Sequence, residues 1–230
     1  MRSRLQLLVA ITLLAAAVSP GLGAEPAPEG RLRTAGRHFV TPDGSRFAWR
    51  GLTSFRLLEM VAHGRAVEAE ALLDWAAGHG VTLVRVLAMA DTLFKLSPDE
   101  GRAALPRLLK LAADRGVYVE VVALADTVKA PVDLREQVKA VGAICAGQDN
   151  CLLEIANEPW HPSQQPGLGA PTTLASLRAL VPRAVPVSLG SPSDDASDEY
   201  ALGDYLTPHL QRSDDQGGWG HVLRMKVAER

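Results

Sequence analysis

The hydrophobic pattern of the chain alternates between short apolar runs and longer stretches in which apolar residues recur at helical spacing. The apolar runs predict strands, at 46–51, 81–87, 117–124, 151–156, 185–189 and 202–206. The periodic stretches predict helices, at 65–80, 98–115, 131–146, 172–181 and from Gly217 onward. The first five strands begin about 35 residues apart, the interval expected when a strand and its return helix repeat.

This alternation is typical of an α/β protein, and runs that are apolar throughout indicate a parallel sheet covered on its faces. An open doubly wound sheet and a (β/α)8 TIM-type barrel both fit the pattern. No Gly-x-Gly-x-x-Gly follows the first strand, so the barrel is favoured over a dinucleotide-binding fold. A complete barrel takes about 250 residues and eight strands. We therefore expect an incomplete barrel over 37–230, with about six strands and truncated at the carboxyl end.

The amino-terminal residues have the pattern of a secretory signal peptide. Arg2 and Arg4 precede an apolar run at 5–18, which is too short to span a bilayer and is followed by small residues. We predict a signal peptide over 1–24, with a single membrane anchor as the alternative. Residues 25–36 predict a linker, and a Pro-Asp-Gly turn between 37–40 and 46–51 predicts a hairpin.

Composition and charge narrow the class of protein further. The chain has 230 residues, 47% hydrophobic, with a formal net charge of −2, which is ordinary for a globular domain and favours neither a nucleic-acid nor a membrane-surface partner. We expect a secreted or periplasmic protein without stable membrane insertion after signal cleavage. Cys145 and Cys151 flank a turn-like segment, where a local disulfide and two buried thiols are equally compatible with the sequence. No Cys/His spacing suggests zinc, so we expect no metal and no cofactor.

Several polar side chains fall at the carboxyl ends of the predicted strands, where active-site groups of a barrel collect. Arg85 lies near the end of the second strand, Asp126 follows the third, Asn157 and Glu158 follow the fourth, and His209 follows the sixth. A glutamate at such an end can give and take a proton, and a neighbouring amide can fix a hydroxyl group. The Asn-Glu pair therefore predicts a site for a hydroxylated substrate.

Each of these side chains also has a structural interpretation. Arg85 interrupts an apolar strand and needs a carboxylate partner: it can hold a catalytic carboxylate ionised, or it can pair with Glu154 or Glu120, which also interrupt strands. Trp160 can offer a flat platform to a sugar ring or pack under its loop. His209 can bind a sugar hydroxyl, orient a carboxylate, or do neither.

Four pieces of sequence, in this order and spacing, resemble the clan A glycoside hydrolases and most of all the family 5 cellulase-like enzymes. They are Phe-Val-Thr-Pro-Asp-Gly at 39–44 with Trp49-Arg50-Gly51, Arg85 in Leu-Val-Arg-Val, Asn157-Glu158-Pro159, and His209 in Asp-Tyr-Leu-Thr-Pro-His. The resemblance implies a TIM barrel and a retaining mechanism with two carboxyl groups about 5 Å apart.

The resemblance also implies roles for individual residues. Glu158 would be the general acid/base, Asn157 would hold the sugar 2-hydroxyl, and Arg85 would support the nucleophile. The expected substrate is an oligo- or polysaccharide, contacted by His209, Trp160 and Asp126.

The sequence departs from the family pattern in two places. The family's nucleophile is a Glu at the end of the seventh strand, and no such strand is predicted here. The usual His near the end of the third strand is replaced by Ala-Leu-Ala-Asp126. We therefore expect little or no turnover by this chain. The alternatives are a non-catalytic carbohydrate-binding protein that kept the groove, and a hydrolase that combines Glu158 with Asp126 or Asp204.

Overall fold

The computed structural model describes residues 30–130, 132–192 and 200–209, and the structural statements below concern these residues. The strands are β1 (Arg33–Ala35), β2 (His38–Val40), β3 (Gly51–Thr53), β4 (Leu83–Leu87), β5 (Tyr118–Leu124), β6 (Cys151–Ala156) and β7 (Val187–Gly190). The helices are α1 (Leu57–Ala62), α2 (Ala66–Gly78), α3 (Asp91–Phe94), α4 (Pro98–Ala113), α5 (Leu134–Ala146) and α6 (Pro171–Arg178). The predicted signal peptide and the predicted helix from Gly217 lie outside the described residues.

The core of the fold is a parallel sheet in the order β3-β4-β5-β6-β7, with one or more helices between consecutive strands. The sheet is not closed into a barrel within the described residues. This confirms the predicted α/β class and an incomplete (β/α)8 arrangement. The predicted helices correspond to α2, α4, α5 and α6 within a few residues at each end, and the short helices α1 and α3 were not predicted.

The strand prediction is wrong in two places. The first strand of the sheet is Gly51–Thr53 rather than 46–51, because Arg46 makes only an isolated bridge to Val40. The predicted strand at 202–206 is a turn, and its Leu202 is 65% exposed. Asp204 docks this turn on the start of β7: its N–H donates to the carbonyl of Val187 at 2.6 Å, and its carboxylate accepts the N–H of Val187 at 2.8 Å. Within the described ranges the parallel sheet therefore has five strands, whereas six were predicted.

A hairpin of β1 and β2 lies at the amino-terminal end of the sheet. The two strands pair antiparallel, so the end of the segment predicted as a linker is ordered structure. Leu32, next to β1, packs with Phe47 and with three side chains at or near the starts of strands, Leu83, Tyr118 and Leu152. The predicted Pro-Asp-Gly turn is present, since the N–H of Gly44 donates to the carbonyl of Thr41 at 2.9 Å.

Because side chains alternate along a strand, the sheet has two different faces. The outer face is apolar and packs under the helices in one large cluster, to which the strands contribute Val84, Val86, Val119, Val121, Leu153, Ile155, Val187 and Leu189. The inner face carries the polar strand residues Arg85, Glu120, Glu154 and Ser188, all of them buried. At the carboxyl ends of the strands, this inner face continues into the loops that follow them.

Helix α4 is fixed closely against the end of β4. Ser97 and Glu100 form a capping box at its start, with Pro98 in the first turn, as the sequence predicts. A Cβ atom on Gly101 would lie 1.8 Å from the carbonyl oxygen of Ala88, so only glycine permits this approach of helix and strand end. No helix of the described ranges is long and apolar enough to cross a membrane.

Cys145 and Cys151 form a disulfide that joins the end of α5 to the start of β6. Of the two arrangements compatible with the sequence, the structure therefore contains the bonded one. The guanidinium of Arg31 lies against the same loop and donates to the carbonyl of Cys145 at 3.1 Å, of Ala146 at 3.1 Å and of Cys151 at 3.3 Å. This contact ties the chain before β1 to the disulfide-bonded segment.

Candidate active site

Glu158 lies two residues beyond the end of β6, where the chain turns away from the sheet. The N–H of Asn157 still donates to the carbonyl of Leu124 at 2.9 Å, so the ladder with β5 reaches this point. Glu158 itself has φ 43°, which lies in the left-handed region. Residues with side chains rarely adopt this conformation, and those that do are found mainly at functional sites. Its carboxylate side chain is 32% exposed and is therefore accessible from solvent.

The side chain of His209 contacts that of Glu158. Its Nδ1 lies 3.0 Å from Oε1 of Glu158, within hydrogen-bonding distance. The N–H of His209 donates to the hydroxyl of Ser191, directly after β7, at 2.8 Å. The structure thus brings together two residues predicted for the site, and in doing so it connects the loop after β6 to the chain that follows β7.

Arg85 links the inside of the sheet to the site. Its Nε donates to Oε2 of Glu154 at 2.7 Å and its Nη2 to Oε1 of the same carboxylate at 2.9 Å, a bidentate buried pair. The same Nη2 donates to Oδ1 of Asn157 at 3.1 Å. Because this contact uses the amide oxygen, the NH2 group of Asn157 is left as the donor that a substrate hydroxyl can meet.

A second buried carboxyl group lies beside this pair. Oε2 of Glu120 is 4.0 Å from Nε of Arg85, and its Oε1 accepts a hydrogen bond from the hydroxyl of Tyr205 at 2.9 Å. Burial, together with the nearby charge of Glu154, raises the pKa of Glu120 to about 7 against the opposing effect of Arg85. Burial and the same two carboxyl groups hold the pKa of Tyr205 well above its usual range. One guanidinium therefore faces two carboxyl groups, and the second is held in its neutral form below about pH 7.

Asp126 lies two residues beyond β5, as Glu158 lies two residues beyond β6, and it also has a positive φ, of 55°. Its side chain is buried and accepts a hydrogen bond from the hydroxyl of Thr92. Next to it, the hydroxyl of Thr127 donates to Gln164 at 2.8 Å, and the amide of Gln164 donates to the carbonyl of Asn157. Gln164, which was not predicted, thus connects the loop after β5 to the Asn-Glu segment.

Trp160 contacts the chain that follows β7 and remains partly exposed. Its indole N–H donates to the carbonyl of Pro192 at 3.1 Å, which fixes the loop after β6 against the residues that follow β7. The ring is nevertheless 45% exposed. Two further aromatic residues were missed by the sequence analysis: Phe55, two residues after β3, and Phe94 in α3, whose ring centroids lie 6.5 Å apart in a stacked arrangement. Their only sequence signal is that each follows a predicted strand, Phe55 after 46–51 and Phe94 after 81–87.

Asp204 is not part of this site. Its carboxylate pairs with Arg178 at 2.9 Å and accepts the N–H at the start of β7, whereas Glu158 lies beyond the carboxyl end of β6. In a parallel sheet these are opposite ends, so the hypothesis that Asp204 supplies the second acid is wrong. The predicted lack of a seventh-strand glutamate concerns residues 210–230, which lie outside the described residues.

No protein-family model matches the chain, and no curated protein matches it. Solved structures do. The native β-glucanase SdGluc5_26A from Saccharophagus degradans has 14% identity and a TM-score of 0.55, covering 72% of this chain and 56% of that one. Its complex with cellotetraose has 13% identity and a TM-score of 0.55, covering 84% and 69%. A GH5_18 protein from Bifidobacterium longum subsp. infantis has 17% identity and a TM-score of 0.54, covering 75% and 53%.

These comparisons confirm the fold that the motifs predicted. The chain has a fold of the kind found in the family 5 glycoside hydrolases of clan A, present as an open set of parallel strands. It spans just over half the length of the β-glucanase and of the GH5_18 protein, at 56% and 53%. At these sequence identities the likeness concerns the fold, and the chemistry has to be argued from the residues of this chain.

Proposed function

We propose that this chain is a glycoside hydrolase-like protein that binds an oligo- or polysaccharide at the carboxyl end of its sheet. In the complete enzyme Glu158 would be the acid/base of retaining hydrolysis of an O-glycosidic bond. The observation that carries the proposal is the position of Glu158: it is accessible, it follows the end of a parallel strand, and it lies 3.0 Å from His209. The orientation of Asn157 by Arg85, at 3.1 Å, supports the same site.

The proposed chemistry uses these residues in a fixed order. The NH2 group of Asn157 donates to the sugar 2-hydroxyl, which positions the ring. As the bond between the anomeric carbon and the leaving oxygen breaks, that oxygen takes the proton of Glu158. In the second step Glu158 takes a proton from the water that attacks the anomeric carbon. His209 donates a hydrogen bond to Glu158 and stabilises the carboxylate in the step where it has no proton.

Retention also requires a second carboxylate about 5 Å away, which forms the covalent glycosyl-enzyme. The resemblance assigns this role to a glutamate after a seventh strand, and the sequence has no glutamate in such a setting beyond Glu199. We therefore propose that these 230 residues alone bind glycan with little or no turnover.

The first test compares the wild type with Glu158→Gln on a panel of neutral β-glucan and β-mannan oligosaccharides. We expect the wild type to bind at least one of them, and Glu158→Gln to keep that affinity within a few-fold while any residual hydrolysis disappears. The matched control is Glu136→Gln on the exposed side of α5, which should change neither quantity. Robust retaining hydrolysis by the wild type would contradict the proposed lack of turnover, and no binding to any glycan would contradict the proposed ligand.

The second candidate function is a non-catalytic carbohydrate-binding protein, which the exposed ring of Trp160 favours as a docking surface for sugar. An assay with an activated aryl glycoside, and with azide as an external nucleophile, distinguishes the hydrolase-like protein from the non-catalytic binding protein. If Glu158 and its neighbours are catalytically competent, azide attacks the anomeric carbon and the aryl oxide leaves, giving a glycosyl azide. Binding of the same glycoside without azide-dependent release of the aryl group would favour the binding protein.

We also propose that the protein is secreted or periplasmic. The apolar run at 5–18 supports export, and the Cys145–Cys151 disulfide supports an oxidising compartment. After expression in a bacterium, we expect amino-terminal sequencing of the mature protein to begin near Glu25. A mature protein that still carries residues 1–24 would instead indicate the membrane anchor.

A further inference from the structure

The end of the described chain runs along β7 and carries His209 to the candidate site. At its start, Asp204 is held at the beginning of β7 by two hydrogen bonds with the backbone of Val187, at 2.6 and 2.8 Å. At its other end, the N–H of His209 donates to the hydroxyl of Ser191, directly after β7, at 2.8 Å. Residues 204–209 therefore extend from the amino end of β7 to its carboxyl end, and we refer to them as the strap.

Two buried hydroxyl groups on the side of β7 hold the strap. Oγ of Ser188 lies 2.8 Å from Oγ1 of Thr207, and Oγ of Ser191 accepts the N–H of His209. The two serines are 0% and 1% exposed. A hydroxyl group that is buried without a hydrogen-bond partner costs free energy, so the strap supplies a partner that each of these serines needs.

The first half of the strap is fixed separately, on the inner face of the sheet. The hydroxyl of Tyr205 donates to Oε1 of Glu120 at 2.9 Å, and its ring meets that of Phe39 edge-on with centroids 5.2 Å apart. With the start of the strap anchored there, the contacts of Thr207 and His209 with β7 determine where the imidazole lies.

The position of this imidazole decides one contact of the candidate site. Nδ1 of His209 lies 3.0 Å from Oε1 of Glu158, and because a carboxylate only accepts hydrogen bonds, Nδ1 carries the proton. The two side chains are 23% and 32% exposed, and a partly exposed pair of this kind contributes little stability by itself. Its geometry therefore depends on the groups that hold each residue in place.

We propose that Ser188, Ser191 and Thr207 are positioning residues, which hold His209 against Glu158 through the strap. They act through the backbone of the strap, and the imidazole of His209 makes the contact with the carboxylate. The proposal rests on the proposed function for the role of Glu158, but the contact itself can be measured without a glycan.

Nitrogen NMR of the full chain with labelled histidines tests this proposal, because it reports which ring nitrogen carries the proton. At about pH 8.5 an ordinary imidazole is neutral and, when free, carries its proton mostly on Nε2, whereas the contact with Glu158 places a proton on Nδ1. The signal of His209 is assigned by its loss in His209→Gln. His161 is the internal reference for the opposite form, since its Nδ1 accepts the N–H of Ser163 at 3.1 Å.

We expect His209 to carry a proton on Nδ1 in the wild type. Thr207→Val keeps the shape of the side chain and removes its hydroxyl, and Ser191→Ala removes the acceptor of the His209 N–H. Each should lower the ratio of His209 with a proton on Nδ1 to His209 without one roughly fivefold, as the loss of one ordinary hydrogen bond would. Thr207→Ser keeps the hydroxyl and should restore the ratio. Adding Ser188→Ala to Thr207→Val should lower it no further, since both remove the same contact.

Two control variants separate positioning from a general effect on folding. Ser176→Ala on α6 removes a hydroxyl of the same kind, which donates to the carbonyl of Thr173 at 2.7 Å, and should leave the ratio of His209 unchanged. Leu108→Ala removes a buried side chain of α4 and should lower the stability without moving the ratio. Thr207 is only partly buried, so Thr207→Val keeps the test decisive even if Ser191→Ala does not fold.

The proposal would be overturned by a wild type without a proton on Nδ1 of His209, by an unchanged ratio in Thr207→Val, or by a ratio that Thr207→Ser does not restore. Its failure can be told apart from failure of the proposed function. If a glycan binds but the ratio does not respond to the variants, the positioning role is refuted while the proposed function stands. If the ratio responds but no glycan binds, the positioning role stands and the proposed ligand is refuted.

Discussion

The two faces of the parallel sheet are built by the same strands but stabilised in different ways. On the outer face of β4, β5 and β6 every side chain is apolar and packs under the helices. On the inner face Arg85, Glu120 and Glu154 form a buried charged layer, with Leu83, Tyr118 and Leu152 on one side and Leu87 and Val122 on the other. The outer face depends on the apolar area that it buries, whereas the inner face depends on a balance of charge.

This difference follows from the alternation of side chains along a strand. The run Leu83–Leu87 supplies Val84 and Val86 to the outer face and Arg85 to the inner one. Apolar burial is insensitive to pH, but one guanidinium that faces two carboxyl groups is not. The comparison therefore predicts that the two faces respond differently to substitution and to pH.

The largest effect should come from removing the cation of the inner face. Arg85→Met leaves Glu154 buried without its partner, and we expect the free energy of unfolding at pH 7 to fall by about 4 kcal/mol in urea titrations. The double variant Arg85→Met/Glu154→Leu removes both charges and should recover most of that loss. A single variant that loses less than about 1 kcal/mol would show that the charged layer is not a stability determinant.

The outer face should respond to volume rather than charge. Leu153→Ala removes a buried side chain between β6 and the helices, and we expect a loss of about 3 kcal/mol from lost burial and the cavity left behind. The loss should be the same at pH 5 and pH 8, measured by the same titration. A pH-dependent loss would mean that the two faces are coupled.

Glu120 should give the inner face a pH dependence that the outer face lacks. Its pKa is raised to about 7 in the folded protein, whereas an unfolded glutamate has a pKa of about 4.3. Between these values the folded state binds more protons, so the free energy of unfolding falls as pH rises, and the stability present below about pH 4.3 is lost as pH passes 7.

We expect this loss to be roughly 2–3 kcal/mol in the wild type relative to Glu120→Gln, whose amide cannot ionise. Thermal and urea unfolding of both proteins between pH 4.5 and 8 measure it, and shared effects of other groups cancel in the difference. The charged groups that face Glu120 are Arg85 and Glu154, with Tyr205 as hydrogen-bond donor. Parallel pH profiles of the two proteins would contradict the prediction.

The smallest effect should come from the disulfide. Cys145 and Cys151 are six positions apart, and closing so short a loop restricts the unfolded chain by about 2 kcal/mol. Cys145→Ala/Cys151→Ala should lose about that much stability, and reduction of the wild type should have a similar effect. A reducing agent that leaves the melting temperature unchanged would argue against the bond.

The sequence predicted the central part of the fold because local pattern and burial agree there. The runs that became β4, β5 and β6 are largely apolar and each begins after a glycine or a polar residue, and the helices between them have clear amphipathic spacing. The segment at 202–206 has the apolar residues Leu202, Tyr205 and Leu206 but forms a turn. Its position is set by Asp204 and Arg178, a contact between distant residues that no local pattern reveals.

The residues of the candidate site fall into the same two groups: those that the local sequence pattern predicts, and those that are placed by contacts between distant segments. The positions of Asn157, Glu158 and Asp126 followed from where strands end, and the structure places them there. The partner of Arg85 was left open, and the structure contains the structural pair with Glu154, while the same guanidinium also reaches Asn157. Gln164, Thr92 and Phe55 were missed, because residues in loops and in the short helix α3 acquire their neighbours only when these segments come together in the folded protein.

The contact of Arg31 with the disulfide-bonded segment has a consequence for the order of folding. Arg31 binds carbonyl groups 114 to 120 positions later in the chain. Contacts of such long range form late, because the intervening chain must first be ordered. The β1–β2 hairpin should therefore join the domain only after β6 has been translated and placed. Until then the hairpin stays outside the folded unit, although it is the first part of the described chain.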